Sequence, residues 1–205
     1  MARKPDTTGI ALEAVLLEKL NWNELFGNDH PVEVEIGTGK AAFLLRRAQA
    51  RPELNFLGIE WANEFFRFAA DRMRRWGLTN VRMVRTDASH FIRGQCPRGS
   101  LRVLHVYHPD PWPKKRHHKR RLFQQPFVDA AADCLIPSGR LAVQTDHAEY
   151  FEIIRGLLLN HPRLKEIPFD QLDFAVETGD LATNFEIKYR REGREFYRMV
   201  VERSA

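Results

Sequence analysis

The chain has 205 residues, of which 43% are hydrophobic, and a formal net charge of +5. This composition excludes a disordered chain and allows one domain with a substantial core. No apolar run approaches the roughly 18 residues that a membrane span requires, and the two cysteines, Cys96 and Cys134, are too isolated to indicate a zinc site or a disulfide framework. We therefore expect a cytoplasmic protein with no membrane partner and no metal.

Strand-like and helix-like segments alternate along the chain. The predicted strands are 32–36, 54–59, 81–84, 101–107 and 140–144, and the predicted helices are 41–50, 63–76, 123–135 and 147–159. This alternation favours an α/β fold in which a parallel sheet is covered by helices on both faces. Two later strands, at 174–176 and 195–201, are predicted on either side of a polar stretch.

A carboxylate ends or closely follows each of the five alternating strands. In open parallel sheets, ligands bind beyond the carboxyl ends of the strands. The pattern therefore predicts an acidic ligand site, although an acid that precedes a helix can instead be its N-cap, an alternative that applies to the third and fifth acids. In chain order these acids are Glu35, Glu60, Asp87, Asp110 and Asp146.

A glycine loop follows the first strand and precedes the first of these helices. Gly37 and Gly39 permit a tight turn and a close approach of the backbone to a ligand, although an ordinary helix-starting turn has the same pattern. With Glu60 about 20 residues further on, the loop loosely fits a dinucleotide-binding fingerprint. Glu35, however, is a poor neighbour for a pyrophosphate, which disfavours a nicotinamide-dependent oxidoreductase. A cationic nucleoside cofactor such as S-adenosyl-L-methionine fits better. Glu60 would then bind its ribose hydroxyls, and Asp87 would bind its adenine amino group.

The segment after the fourth strand joins a rigid corner, Asp110-Pro111-Trp112-Pro113, to a cationic run at 114–121. Six residues of this run are Lys or Arg, so the rest of the chain is close to neutral. Such localised charge predicts a docking surface for a polyanion, whereas a merely solvated face is the alternative. Trp112 is interpreted either as a stacking platform or as a core residue. The side chains expected on phosphates are Arg116, Lys119, Arg120 and Arg121.

The motifs EIGTGK, LGIE, TDA, PDPWPKKRHHKRR, QTDH and TNFEIK occur in the order and approximate spacing of the bacterial tRNA (guanine-N7)-methyltransferases. The chain resembles that family over residues 32–201. The resemblance implies a Rossmann-like class I methyltransferase domain at 31–205 that follows an N-terminal helical extension at 1–30. It also implies a mostly parallel, seven-stranded sheet with an antiparallel C-terminal strand.

The resemblance further implies methyl transfer from S-adenosyl-L-methionine to N7 of a guanine at variable-loop position 46 in tRNA. Asp110 would be the catalytic residue and would line the cofactor site together with the glycine loop and the acids Glu35, Glu60 and Asp87. Family members often carry glycine where Ala41 stands, from which we expect a slightly tighter loop, and phenylalanine where His108 stands. The implied contacts to the tRNA substrate are Lys114, Asp146, Thr183, Asn184, Phe185 and Glu186. Without the family match, 183–186 is typical of an ordinary polar turn.

The chemistry of guanine agrees with this assignment. N7 carries a free lone pair on the major-groove edge and needs no general base. Positioning should supply much of the catalysis, and a nearby carboxylate would stabilise the cationic product. Asp110-Pro111-Trp112 also partly matches the motif of exocyclic-amine methyltransferases, and a non-catalytic RNA-binding module is a further alternative. Whether the protein is a monomer or a homodimer stays open.

Overall fold

The structure, a computed structural model, describes residues 4–13, 20–169 and 195–204. Within these residues, eight strands form one sheet in the order β1-β4-β3-β2-β5-β6-β8-β7. All pairs from β1 to β6 are parallel, whereas β8 is antiparallel to both β6 and β7. The strands are β1 (Ala11–Leu12), β2 (Val32–Ile36), β3 (Asn55–Ile59), β4 (Val81–Val84), β5 (Leu101–Tyr107), β6 (Leu135–Thr145), β7 (Leu164–Ile167) and β8 (Tyr197–Arg203).

Helices cover both faces of the sheet. On one face, α2 and α3 pack on apolar side chains of β3 and β4, and on the other face α4, α5 and α6 enclose a larger core. The central strands are buried on both sides, and for this reason they are almost continuously apolar. The helices are α1 (Trp22–Phe26), α2 (Ala42–Ala50), α3 (Asn63–Arg75), α4 (Ala88–Gly94), α5 (Gln125–Cys134) and α6 (Ala148–Leu159), with a 3-10 helix at Lys115–Arg120.

The Rossmann-like architecture predicted from the sequence is confirmed, with one more strand than expected. The additional edge strand β1 lies within the segment predicted as a helical extension, and its Ala11 pairs with Met83 of β4. The division between extension and domain at residue 30 stays a prediction. The strand predicted at 174–176 lies outside the described residues.

The elements that sequence patterns did not indicate are short. Helices α1 and α4 have five and seven residues, fewer than the roughly 11 over which helical periodicity is recognised. Strand β7, LKEI, has two charged residues between its apolar ends and so lacks strand alternation. Strand β6 begins at Leu135, earlier than predicted, because the Pro137-Ser138-Gly139 turn forms an irregularity within it rather than ending it. None of the helices described here is long and apolar enough to cross a membrane.

Candidate active site at the strand ends

A cleft of about 870 Å³ opens beyond the carboxyl ends of β2, β3, β4 and β5. Its walls come from the loops that leave these parallel strands, which is the position that the topology predicts for a ligand. Five of the predicted cofactor residues line it, and the sixth, Glu35, is buried in β2 outside the lining. The five that line it are Gly37, Gly39, Glu60, Asp87 and Asp110.

The glycine loop has the conformation that its residues suggest. Gly37 and Gly39 have φ angles of 74° and 53°, in the left-handed region that favours glycine. The space where a side chain would stand is open, which leaves the backbone accessible to a ligand. Ala41 also has a left-handed φ, 51°, as the N-cap of α2. The alanine therefore takes the conformation that glycine adopts readily, at a cost of about 1–2 kcal/mol.

Glu60 links the glycine loop to the connection between β3 and α3. Its carboxylate accepts a hydrogen bond of 2.8 Å from the Gly39 N–H and another of 2.8 Å from the Ala62 N–H. Each carboxylate oxygen has a further lone pair. Glu60 can therefore hold the loop and still accept hydrogen bonds from ribose hydroxyls.

Glu35 is a buried acid with an unsatisfied oxygen. Its side chain is 3% exposed, and Oε2 has no hydrogen-bond partner among the described residues. Burial raises the pKa of Glu35 well above its usual range, the charge of Glu60 raises it further, and the Leu44 backbone N–H opposes both effects. A buried carboxylate with one oxygen left without a partner is costly when ionised. The position therefore fits a ligand that brings a positive charge.

A second buried acid on β2 was not indicated by the sequence patterns. Glu33 accepts hydrogen bonds from Arg47 Nε at 3.1 Å and Nη2 at 3.0 Å, from Arg102, and from His105 Nε2 at 3.0 Å. Burial would raise the pKa of Glu33, but the hydrogen bonds from His105 and Arg47 outweigh it and hold the pKa well below its usual range. Since its partners are spread over α2 and β5, only the folded chain reveals this cluster.

Asp87 combines the two roles considered for it. Its side chain caps α4 by accepting a 2.7 Å hydrogen bond from the His90 N–H, and it also lines the cleft. A capping carboxylate retains lone pairs for a second donor, such as an adenine amino group. The structure thus makes the capping interpretation compatible with a ligand contact.

Asp110 is exposed at the cleft, within a strained corner. The flanking residues His108 and Trp112 have left-handed φ angles of 52° and 43°. Left-handed backbone at two bulky residues persists where the surroundings fix it, and such strain clusters at functional sites. Trp112 is half-buried and lines the cleft, so its interpretation as a core residue is wrong.

Arg121 holds this corner in place. It is 4% exposed, donates from Nε to the Pro111 carbonyl at 2.7 Å and forms a two-pronged ion pair with Glu149 at 3.1 and 2.7 Å. Its guanidinium also lies over the Tyr150 ring, 4.7 Å from the centroid. A phosphate contact would require these bonds to break, so this placement favours a structural role over the tRNA docking predicted for Arg121.

The rest of the cationic run folds as a 3-10 helix beside Trp112. The Arg120 guanidinium lies 5.1 Å from the Trp112 ring centroid, and the His117 ring meets it edge-on at 5.8 Å. Lys119 and Arg120 are exposed and line the cleft, whereas Lys114 and Arg116 are exposed outside its lining. Arg93 of α4 adds a cation to the cleft that the sequence patterns did not indicate.

The comparisons with known proteins converge on one family. The family model described as "Putative methyltransferase" matches residues 29–199. The chain is 34% identical to a tRNA (guanine-N(7)-)-methyltransferase of Geobacillus sp. (strain WCH70), covering 90% of this chain and 83% of that protein. It is 38% identical to the protein of the same name from Vibrio parahaemolyticus, covering 91% of this chain and 77% of the relative.

The chain belongs to the tRNA (guanine-N7)-methyltransferase family. The resemblance inferred from its motifs is thereby confirmed, and the chain is an enzyme of the methyltransferase class. Its fold is also that of a solved structure described as an antibiotic-related methyltransferase, with a TM-score of 0.60 at 16% identity over 92% of this chain and 98% of that one.

Five further substrate contacts were predicted for this methyltransferase, Asp146 and the segment 183–186. Asp146 follows β6, and its Oδ1 lies 3.6 Å from His108 Nδ1, next to the corner. It is not the cap of α6, because the Nδ1 atom of His147 accepts the capping hydrogen bond from the Tyr150 N–H at 3.3 Å. Thr183, Asn184, Phe185 and Glu186 lie outside the described residues.

Proposed function

We propose that this protein transfers a methyl group from S-adenosyl-L-methionine to N7 of a guanine in tRNA, at variable-loop position 46. The proposal rests on one observation, that the two walls of the cleft differ in chemical character. One wall has an open glycine loop backed by the unsatisfied acid Glu35. The other wall carries Asp110 and the exposed cations Lys119 and Arg120. A cationic cofactor and a polyanionic substrate fit these two walls, and the family relatives are named for this reaction.

The cofactor would be held by the first wall. When bound, S-adenosyl-L-methionine supplies a methyl group activated by a positively charged sulfonium. Glu35 offers the negative charge that complements its ammonium, and Glu60 accepts from its ribose hydroxyls. Asp87 accepts from the adenine amino group, and the neighbouring Trp61, 65% exposed at the cleft, offers a face for the ring.

The guanine would enter from the second wall. N7 is nucleophilic without a base, so this chain has to orient the ring and exclude alternative approaches. As the methyl group is transferred, the ring becomes cationic, and the Asp110 carboxylate stabilises that charge. Trp112, held at the corner, stacks on the base.

The tRNA would be held around this cleft. Arg116, Lys119 and Arg120 contact phosphates, and Arg93 extends the same cationic wall. Further contacts come from Lys114, Asp146, Thr183, Asn184, Phe185 and Glu186. We place this activity in the cytoplasm, in a catalytic domain at 31–205 preceded by the extension at 1–30.

One experiment tests the reaction itself. Unmodified tRNA is incubated with the protein and S-adenosyl-L-methionine labelled in the methyl group, and the methylated nucleoside is identified. We expect N7-methylguanosine, whose positively charged five-membered ring is opened by alkali. A methylated exocyclic amine would support the alternative enzyme class, and tRNA binding without cofactor binding would support a non-catalytic module.

The role of Asp110 is tested in the same assay. Asp110→Asn should nearly abolish methyl transfer while tRNA binding stays largely intact, because the variant loses the charge that faces the cationic product. Exposed Asp129→Asn on α5, outside the cleft lining, is the control. Near-normal turnover by Asp110→Asn would exclude this electrostatic role.

A further inference from the structure

The solvent face of α3 is aromatic, although an amphipathic surface helix normally exposes polar residues there. Six large hydrophobic side chains are exposed within the described ranges, and four of them belong to α3 and its flanks. They are Trp61 at 65%, Phe65 at 39%, Phe68 at 42% and Trp76 at 54% exposure. Such a concentration of exposed apolar area marks an interaction surface.

Three of these side chains, together with Arg72, lie on one face of the helix. Phe65, Phe68, Arg72 and Trp76 follow one another at steps of three, four and four residues, which along α3 and its C-cap forms a narrow stripe. From Phe65 to Trp76 the stripe is about 16 Å long at the helical rise. Trp61 precedes the extended N-cap Ala62 and adds an exposed ring before the start of the helix. We call Phe65, Phe68, Arg72 and Trp76 the aromatic stripe.

Cations accompany the aromatic stripe. Lys40 Nζ lies 6.0 Å from the Phe68 ring centroid, and the Arg85 guanidinium lies 6.0 Å from that of Trp61. Arg72, within the stripe, donates to the Lys40 carbonyl at 3.0 Å. Burial lowers the pKa of Arg72, and the nearby positive charges of Arg46 and Arg75 lower it further, which shows that like charges are crowded here. A polyanion relieves that repulsion.

The two acids of α3 do not cancel the positive charge around the stripe. They are Glu64 and Asp71, and Asp71 is already engaged by Arg75 at 2.9 Å and by the Asp6 N–H at 2.9 Å. The partner of the stripe should therefore combine negative charge with flat surfaces that stack on aromatic rings. RNA has both properties.

We infer that the aromatic stripe is a second docking surface for the tRNA substrate, which receives a part of the molecule beyond the target nucleotide. Phe65, like Trp61, lines the cleft, so the stripe is continuous with the candidate active site. Helix α3 follows β3 and the cationic run follows β5, and these strands lie on either side of β2. The tRNA is thereby held on both sides of the cleft. The inference rests on tRNA being the substrate, as proposed above, but not on which atom is methylated.

The test uses substitutions beyond the cofactor site. Phe68 and Trp76 lie outside the cleft lining, so Phe68→Gln and Trp76→Gln spare the groups proposed to hold the cofactor. Matched controls are Ile153→Gln and Leu159→Gln on α6, where the exposures of 40% and 39% are similar. Affinity for unmodified tRNA, affinity for S-adenosyl-L-methionine and turnover at saturating tRNA are measured for each variant, at several salt concentrations.

We expect each stripe variant to raise the tRNA dissociation constant several-fold and the double variant to combine both effects, while cofactor affinity and saturated turnover stay near wild type. The salt dependence of binding should be unchanged by these aromatic substitutions and reduced by Arg72→Ala, because only the latter removes a phosphate contact. The α6 controls should bind tRNA as the wild type does.

Two results would overturn the inference. One is unchanged tRNA affinity in the double variant. The other is a concentration-dependent dimer, seen by sedimentation, that the stripe variants abolish while the monomer binds tRNA normally, which would assign the stripe to self-association. Wild-type measurements separate this inference from the proposed function. A wild-type protein that binds tRNA through the stripe but makes no N7-methylguanosine would contradict the chemistry and leave the docking surface standing.

Discussion

Two acids on the same strand, Glu33 and Glu35, are both buried and have opposite electrostatic surroundings. Glu33 is fully buried among Arg47, Arg102 and His105, and its pKa is held low. Glu35 is two residues further along β2, on the same face, and its pKa is raised by burial and by Glu60. The first acid is satisfied by the protein itself, whereas the second has an oxygen left without a partner in the described part of the chain. Burial of a charge is therefore structural in one case and points to a ligand in the other.

The same contrast recurs in two neighbouring arginines of the cationic run. Arg121 is buried and contacts Pro111, Glu149 and the Tyr150 ring. Arg120 is exposed at the cleft and touches the face of Trp112. Adjacent residues of one type and one charge can thus divide between supporting a site and staying exposed at its opening.

The largest expected effect concerns Glu33. Glu33→Gln removes the negative charge beside fully buried Arg47, and breaking such a buried pair costs about 3–5 kcal/mol in the free energy of unfolding. Urea denaturation measures it, with Glu53→Gln, an exposed acid paired with Arg51, as the control that should not change stability. Since the pKa of Glu33 is lowered, the stabilisation is present above pH 4.5 and is lost as the pH falls below it. A loss no larger than that of the control would contradict the structural role.

Glu35→Gln should have the opposite profile. Affinity for S-adenosyl-L-methionine should fall by about 1–3 kcal/mol, the scale of a lost charge-assisted hydrogen bond. The free energy of unfolding of the cofactor-free protein at neutral pH should be unchanged or higher, because the variant removes a buried carboxylate. Calorimetry with cofactor alone and urea denaturation measure the two quantities. Unchanged cofactor affinity would place Glu35 with Glu33 as a structural acid.

The paired arginines provide a third test. Arg121→Lys keeps the charge but loses the simultaneous bonds to Pro111 and Glu149, so the corner that carries Asp110 should shift and saturated turnover should fall roughly 10- to 100-fold. Its tRNA affinity and salt dependence should stay near wild type. Arg120→Ala should instead weaken tRNA binding and reduce the salt dependence. Glu149→Gln, an exposed substitution, should reproduce part of the Arg121→Lys defect if folding is intact. Weaker tRNA binding with normal turnover in Arg121→Lys would show instead that Arg121 belongs to the tRNA docking surface.

The smallest expected effect is a proton linkage. Because the pKa of Glu35 is raised, the cofactor-free native state retains a proton that the unfolded chain releases above pH 4.5, so stability falls relative to Glu35→Gln as the pH rises. A cationic cofactor favours the ionised form, so its binding should release part of a proton. Calorimetry in two buffers of different ionisation enthalpy detects this release. Equal proton release by wild type and Glu35→Gln would assign the proton to another group.

The sequence by itself determined the fold class and the family. Alternating strand and helix patterns are local, and the apolar runs of β2 to β5 follow directly from burial on both faces of a parallel sheet. The acids at the strand ends and the glycine loop were also predictable, because parallel strands bring their carboxyl ends to one edge. Strands β1 and β7 were not, since β1 has only two residues and β7 carries two charged residues between its apolar ends.

Only the tertiary structure decided which charges are satisfied. Glu33 and Glu35 look alike in VEVEI, and Arg120 and Arg121 look alike in HKRR, but their partners come from residues 8 to 72 positions away in the chain. The aromatic stripe likewise became visible when the other face of α3 was seen to pack against the sheet. Electrostatic partners and exposed faces depend on distances in space, and a linear pattern fixes these only after the chain has folded.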